Sequence, residues 1–170
     1  MRLENKVVAA LLDRGMTVSL AESCTGGAVA ARLVSVPGVS AAFLGGVVSY
    51  TDAVKARLLG VFEDTLAAHT AVSAPVAAEM AEGIRKSTGS DLALSVTGLA
   101  GPGGGTVEIP VGRVFVGVAT AAGTRVKTLS LSGSRSTIRR KAATAVLREA
   151  LYEILMTEET ISSHKKETEK

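Results

Sequence analysis

The sequence contains few aromatic residues, a single cysteine and no long apolar run. It has no Trp, two Tyr and three Phe, whereas proteins that bind single-stranded nucleic acid stack its bases on aromatic side chains. The lone Cys24 excludes an internal disulfide and a cysteine-based zinc site, and it predicts a reducing, cytoplasmic location. No apolar stretch approaches the roughly 20 residues that span a bilayer. We therefore expect neither nucleic acid nor membrane as a partner.

Small aliphatic residues make up most of the chain. Of its 170 residues, 46% are hydrophobic, 21% are charged and 18 are Gly. This composition is typical of a soluble α/β protein with closely packed layers. Because a domain usually needs roughly 100–200 residues, we predict one domain over residues 1–156, followed by a polar, flexible tail over residues 157–170.

Hydrophobic periodicity predicts an alternation of helices and strands. Helices are expected at 3–14, from 28 up to the Pro37-Gly38 turn, at 53–59 and 64–69, from Ser73-Ala-Pro75 to about 86, and after Ser132 or Ser134. Strands are expected at 16–20, 43–50, 91–97, 111–120 and 124–131. The last two strands form a hairpin around Ala122-Gly123. The order predicts a three-layer α/β/α sandwich with a mixed, mostly parallel sheet and a C-terminal antiparallel hairpin.

A first candidate site is the turn Ala-Glu-Ser-Cys-Thr-Gly-Gly at 21–27, between a predicted strand and a predicted helix. Free N–H groups at a helix start can bind an oxyanion or a phosphate, and Ser23 or Cys24 is placed there as a nucleophile. The alternative is an ordinary turn with a capping Ser or Thr. The G-x-S-x-G elbow and the G-x-x-x-x-G-K-[ST] phosphate loop are both absent.

A serine nucleophile needs a base, and histidine is a poor candidate here. His164 falls in the predicted tail and His69 at a helix end. Lys55 lies in the first turn of a predicted helix, where the helix dipole disfavours its protonated form; a solvated surface lysine is the alternative. Tyr50, at the end of the preceding strand, is placed to orient a proton transfer, or else is an ordinary strand aromatic.

Two further segments indicate an anionic ligand. Five glycines lie in the loop 98–105, and residues 109–147 hold seven Arg or Lys and no acid. Arg139, four residues before Ala143, continues the apolar stripe of the last helix and is expected to face inward, so we rank it above Arg135 and Arg140 as a phosphate or carboxylate ligand. A flexible connection and a solvated basic face are the alternatives. No residues have the spacing of metal ligands.

Several motifs together resemble the C-terminal domain of the competence/damage-inducible protein CinA. They are A-E-S-C-T-G-G at 21–27, V-S-Y-T-D-A-V-K at 48–55, H-T-A-V-S at 69–73, V-T-G-L-A-G-P-G-G-G-T at 96–106, P-V-G at 110–112 and S-G-S-R…R-R at 132–140. The resemblance implies an α/β/α fold and, for stand-alone members, hydrolysis of nicotinamide mononucleotide to nicotinate mononucleotide and ammonia. The sequence departs from the family pattern at 107–110, where Val-Glu-Ile-Pro stands in place of a common Pro-Glu-Lys-Pro run, so that a proline and a lysine are missing.

The resemblance also implies which residues act. Members use a Ser/Lys dyad, which here corresponds to Ser23 and Lys55, with Tyr50 close by and no cofactor. We place the small pyridine nucleotide substrate on Glu22, Thr25, Gly26, Gly27, Gly98, Gly101 and Arg139. A homo-oligomer, preferably a dimer, is expected. The competing hypothesis is a catalytically silent nucleotide-binding or regulatory module; DNA binding through the basic half ranks last.

Overall fold

Five strands form one sheet in the computed structural model, which describes the backbone of residues 1–168 and the side chains of residues 1–157. The strands are β1 (Val18–Glu22), β2 (Phe43–Val48), β3 (Leu92–Gly98), β4 (Arg113–Thr120) and β5 (Gly123–Ser130). Their order is β2-β1-β3-β4-β5. β1 is parallel to β2 and β3, whereas β4 is antiparallel to β3 and β5. The predicted mixed sheet with a terminal hairpin is confirmed.

Helices cover both faces of the sheet. They are α1 (Leu3–Asp13), α2 (Ala28–Val34), α3 (Asp52–Leu59), α4 (Glu63–His69), α5 (Ala74–Thr88) and α6 (Arg135–Thr168), with a short 3₁₀ turn at Val39–Ala41. Apolar residues of α1, α2 and α6 pack on one face of β1, β3 and β4. Residues of α3 and α5 pack on the other face. The three-layer α/β/α sandwich predicted from periodicity is therefore confirmed.

The central strands are buried on both faces, as parallel strands between two helical layers must be. All five residues of β1 are buried, and so are the first six of β3. The small residue Gly117 lets α5 approach the sheet closely, because a Cβ there would lie 2.4 Å from both Ala77 O and Ser95 Oγ. The scarcity of aromatic residues thus corresponds to short distances between the layers.

Most boundaries lie within one or two residues of the predicted ones, and two of the differences have a visible extent or cause. β1 begins at Val18 rather than at residue 16, since the Met16 N–H donates to Leu11 O at 2.9 Å and closes the end of α1. α6 continues through Thr168 across most of the predicted tail. Residues 169 and 170 lie outside the described chain, and the flexibility of 157–170 stays a prediction. Within residues 1–168, no helix is both long and apolar enough to cross a membrane.

Candidate active site

The carboxyl ends of the three parallel strands bring the predicted catalytic residues together. Ser23 follows β1 directly, and its N–H donates to Val96 O of β3 at 2.9 Å. On the other side, the Ser49 N–H, just after β2, donates to Glu22 O at 2.8 Å. These bonds continue the sheet by one residue past β1 and hold Ser23 between its neighbours. In an open α/β sheet, this edge is where ligands bind.

Lys55 reaches Ser23 from the first turn of α3. That helix begins after Thr51, whose hydroxyl accepts from the Val54 N–H at 3.4 Å. Lys55 Nζ lies 3.3 Å from Ser23 Oγ and donates to Ser49 O at 2.9 Å. The side chain is only 1% exposed, unlike the solvated lysine that was the alternative from sequence.

Burial lowers the pKa of Lys55, because the charged ammonium is poorly solvated in the protein interior. Asp52, on the same helix, opposes this shift, since negative charge nearby favours the protonated form, and a Cys24 thiolate would act in the same direction. Burial is the larger effect. A lysine with a lowered pKa, in hydrogen-bond contact with a serine hydroxyl, can accept the hydroxyl proton and so make the serine nucleophilic.

Cys24 is the other nucleophile that the sequence left open. Its side chain is 6% exposed, and burial raises the pKa of its thiol to about 11. The reactive form of cysteine is the thiolate, so this thiol is protonated and unreactive at neutral pH. The environment therefore favours Ser23 over Cys24.

Glu22 was predicted from the sequence to bind the substrate, but its carboxylate is bound to the protein itself. Its side chain is 2% exposed and points into the start of α2. Oε2 accepts from Thr25 Oγ1 at 2.6 Å and from the N–H groups of Gly27 and Val29 at 3.0 and 3.1 Å, while Oε1 accepts from the Ala30 N–H at 2.8 Å. The orphan donors of the helix therefore bind an internal carboxylate rather than a ligand.

The same bonds change the predicted roles of the rest of the turn. Thr25 is fully buried, and its hydroxyl is committed to Glu22. Gly26 and Gly27 have positive φ angles of 60° and 89°, and their N–H groups donate to Ser23 O and to Glu22. Within residues 1–157, no hydrogen bond joins the Thr25 N–H to another residue, and the Cys24 N–H bonds only to its own thiol. These two N–H groups are therefore the candidate donors of this turn for an oxyanion.

Arg139 faces inward, as its place on the apolar stripe predicted, but it binds the protein itself. Its Nε donates to Cys24 O at 3.0 Å and its Nη2 to Thr25 O at 2.7 Å. The guanidinium also lies close to Gly26, where a Cβ would be 3.2 Å from Nη2. Arg139 is thus a positioning residue. It holds the turn at 21–27, here called the nucleophile turn after the candidate nucleophile Ser23, against α6.

Arg135, ranked below Arg139 from the sequence, also lies at the site. Its Nη1 donates to Gly101 O and its Nη2 to the Tyr50 hydroxyl, both at 2.8 Å. Arg135 thereby joins the start of α6, the glycine loop and the residue after Ser49. The spacing in the sequence could have indicated this position, because Arg135 is four residues before Arg139 and therefore lies on the same face of the helix.

Tyr50 and Gly101 both bind Arg135, whereas Gly98 lies against Val114. Tyr50 is 58% exposed, and within residues 1–157 no hydrogen bond joins it to Ser23 or Lys55. Gly98 ends β3, where a Cβ would lie 2.6 Å from Val114 Cγ2. Gly101 has a φ of 72°. These glycines permit close packing and a left-handed turn, and their binding role stays a prediction.

A surface cavity lies elsewhere. About 430 Å³ in volume, it is lined by Met16, Arg85, Asp91, Thr120–Ala122, Glu153, Met156 and Thr157. Met16 and Asp91 precede β1 and β3, so the cavity is at the opposite edge of the sheet. Asp91 is bound to the N–H and hydroxyl of Thr17 there. In the described part of the chain, no three His, Cys, Asp or Glu residues could together hold a metal ion.

The fold and site define an α/β/α domain with a buried lysine against a serine at the carboxyl edge of a mixed sheet. The chain belongs to the CinA C-terminal domain family, whose match covers residues 1–154. It is 50% identical over 141 residues to a CinA-like protein of Kosmotoga olearia, and 48% identical over 145 residues to a putative competence-damage inducible protein of Alkaliphilus oremlandii. These matches cover 83% and 85% of this chain.

Solved structures agree with this assignment. Competence/damage-inducible protein CihA of Agrobacterium tumefaciens has a TM-score of 0.86 at 36% identity, over 89% of this chain and 93% of that one. Competence damage-inducible protein A of Klebsiella pneumoniae has a TM-score of 0.87 at 36% identity, over 90% and 95%. By contrast, the chain spans about a third of the length of the curated relatives, 34% and 35% for the two above.

Proposed function

We propose that this domain hydrolyses the carboxamide of nicotinamide mononucleotide, yielding nicotinate mononucleotide and ammonia, as the family resemblance implies. The observation that supports this most directly is the contact between Lys55 Nζ and Ser23 Oγ at 3.3 Å, with the lysine 1% exposed. A serine paired with a neutral lysine is an activated nucleophile for acyl transfer.

The reaction takes place in two halves. Ser23 Oγ attacks the amide carbon while its proton moves to Lys55 Nζ, and the resulting oxyanion is bound by the N–H groups of Cys24 and Thr25. When the C–N bond breaks, Lys55 returns the proton to the leaving nitrogen, so ammonia departs and an ester on Ser23 remains. Water, deprotonated by Lys55, then attacks the ester; the acid is released and Ser23 regains its proton.

The phosphate of the substrate needs positive charge beside this centre. Arg139 or the loop 98–105 was the predicted ligand, and both lie next to the nucleophile turn through the bonds of α6. Arg135 and Arg139 each already donate two hydrogen bonds to the protein, but Arg135 is exposed whereas Arg139 is half-buried. We therefore place the phosphate between the glycine loop and Arg135, with Arg139 behind them. The predicted dimer and cytoplasmic location stay predictions.

The test is ammonia release from nicotinamide mononucleotide, with the nucleotide product separated by chromatography. Ser23→Ala is expected to lower kcat by at least about 10³-fold, because it removes the nucleophile. Ser19→Ala is the matched control. Ser19 is also a buried serine, but it lies within β1 and is bonded to Ser90 Oγ at 2.7 Å, far from the site. Its kcat is expected to stay within about threefold of wild type.

Other outcomes contradict the proposal. An active Ser23→Ala variant would remove Ser23 from the mechanism. A bound nucleotide stabilises the folded protein by RT ln(1 + [L]/Kd). If the wild-type protein shows this stabilisation but releases no ammonia, the result would support the silent nucleotide-binding module instead. A protein with neither response would overturn both hypotheses.

A further inference from the structure

Ser49 carries a buried hydroxyl that makes no hydrogen bond in the described structure. The residue follows β2 and is fully buried. Its backbone is held on both sides, because its N–H donates to Glu22 O at 2.8 Å and its carbonyl accepts from Lys55 Nζ at 2.9 Å. Ser49 Oγ is nevertheless without a partner. Buried hydroxyls are nearly always bonded, so an unpartnered one beside a catalytic pair needs an explanation.

The number of hydrogen bonds available to Lys55 suggests an explanation for the unpartnered Ser49 hydroxyl. A protonated lysine has three N–H donors, and the described structure offers Nζ two acceptors, Ser23 Oγ and Ser49 O. Once Ser23 has given up its proton and formed a bond to substrate carbon, its oxygen becomes a weaker acceptor. The protonated state of Lys55 therefore lacks at least one acceptor. Ser49 Oγ is an unused acceptor, and it belongs to the residue whose carbonyl Nζ already contacts.

We propose that the Ser49 hydroxyl is a positioning group that accepts a hydrogen bond from Lys55 Nζ whenever this lysine is protonated. This pairing requires a rotation about the Cα–Cβ bond of Ser49 that turns Oγ toward Nζ, and Ser49 keeps its own proton throughout. The part of this inference that concerns turnover rests on the proposed function. The pairing of Ser49 with protonated Lys55 does not.

The surroundings favour a neutral acceptor in this role. The titratable groups that act on Lys55 are Asp52 on its own helix and Cys24 in the nucleophile turn. On α5, which packs against α3, the carboxylate of Glu79 is turned away, since it accepts from the Phe62 N–H and Thr65 Oγ1. A carboxylate at position 49 would keep Lys55 charged at rest, whereas a hydroxyl supports the charge only when it forms.

The test is an NMR titration of Lys55 in protein labelled with ¹³C at lysine Cε. The Lys55 signal is identified by its loss in Lys55→Met. In Ser49→Ala, the titration midpoint is expected to fall by about one pH unit, because a hydrogen bond to the charged form has been lost. Ser49→Thr, which retains the hydroxyl, and the control Ser19→Ala are both expected to stay within about 0.3 unit of wild type.

An unchanged midpoint in Ser49→Ala would overturn the inference, whatever the protein does with nicotinamide mononucleotide. A lowered midpoint in a protein that releases no ammonia would support the inference and contradict the proposed function. If both hold, Ser49→Ala lowers kcat by about tenfold with KM unchanged, since Lys55 becomes a weaker base. A purely structural role predicts a lower unfolding temperature without a shift in the Lys55 titration.

Discussion

Glu22 anchors the nucleophile turn to α2, and its replacement by glutamine tests that role quantitatively. The carboxylate accepts four hydrogen bonds, from Thr25 Oγ1 and from the N–H groups of Gly27, Val29 and Ala30. Glutamine has one oxygen, which can keep the three bonds of Oε2, but its NH₂ group then faces the Ala30 N–H. A buried N–H without an acceptor costs about 1–3 kcal/mol, and losing the negative charge at the helix start costs about 0.3–2 kcal/mol.

We therefore expect Glu22→Gln to lower the free energy of unfolding by about 2–4 kcal/mol. Urea denaturation followed by circular dichroism measures this, and the thermal midpoint should fall by roughly 5–15 °C for a domain of this size. The matched control is Glu79→Gln. Glu79 is half-buried and accepts only two hydrogen bonds, from the Phe62 N–H and Thr65 Oγ1, so its loss should stay below about 1 kcal/mol. Equal losses in the two variants would refute the anchoring role of Glu22.

Two further predictions concern the site. Lys55→Met should be more stable than wild type at pH 7, by about 1–4 kcal/mol, because it replaces a buried amine with an apolar side chain of similar size. Since the folded-state pKa of Lys55 is lowered, the unfolded chain binds the extra proton between that pKa and about 10.5, and wild-type stability rises with pH there by about 1.4 kcal/mol per unit. Urea midpoints at several pH values should therefore show the variant's advantage shrinking as pH increases, and a constant advantage would contradict the buried neutral lysine. Cys24, with its pKa raised to about 11, should react with iodoacetamide at pH 8 about 100-fold more slowly than an unfolded thiol. Mass spectrometry of native and urea-unfolded protein measures the two rates, and equal rates would show a reactive thiol.

The fold could be predicted from sequence because its elements have strong local signals. The periodicity of α1, α5 and α6 and the alternation in β3 indicated the layers, and the turn at Ala122-Gly123 indicated the hairpin. The parallel pairing of β1 with β3 is a contact between distant parts of the chain. Only the overall order of helices and strands pointed to it.

The site could be predicted in part. Ser23 and Lys55 were expected to meet, and the structure brings them within 3.3 Å. The role of Glu22 could not be read from sequence, since a glutamate at a strand end is compatible with binding a ligand or capping the next helix. Which of these occurs depends on the direction of one side chain. The same holds for Arg139, whose inward orientation was predicted but whose acceptors, two carbonyls of the nucleophile turn, were not.

The segment 102–109, which overlaps the glycine loop at 98–105, is attached to the rest of the protein differently from the nucleophile turn. Ser23 is held through its own backbone, Glu22 and Arg139, whereas the segment 102–109 is bonded within itself, between Thr106 and Ile109, and is largely exposed. Doubling the length of such a loop costs only about 0.6 kcal/mol in closure entropy. This segment can therefore be exchanged or lengthened as a separate part while the serine and lysine stay in register.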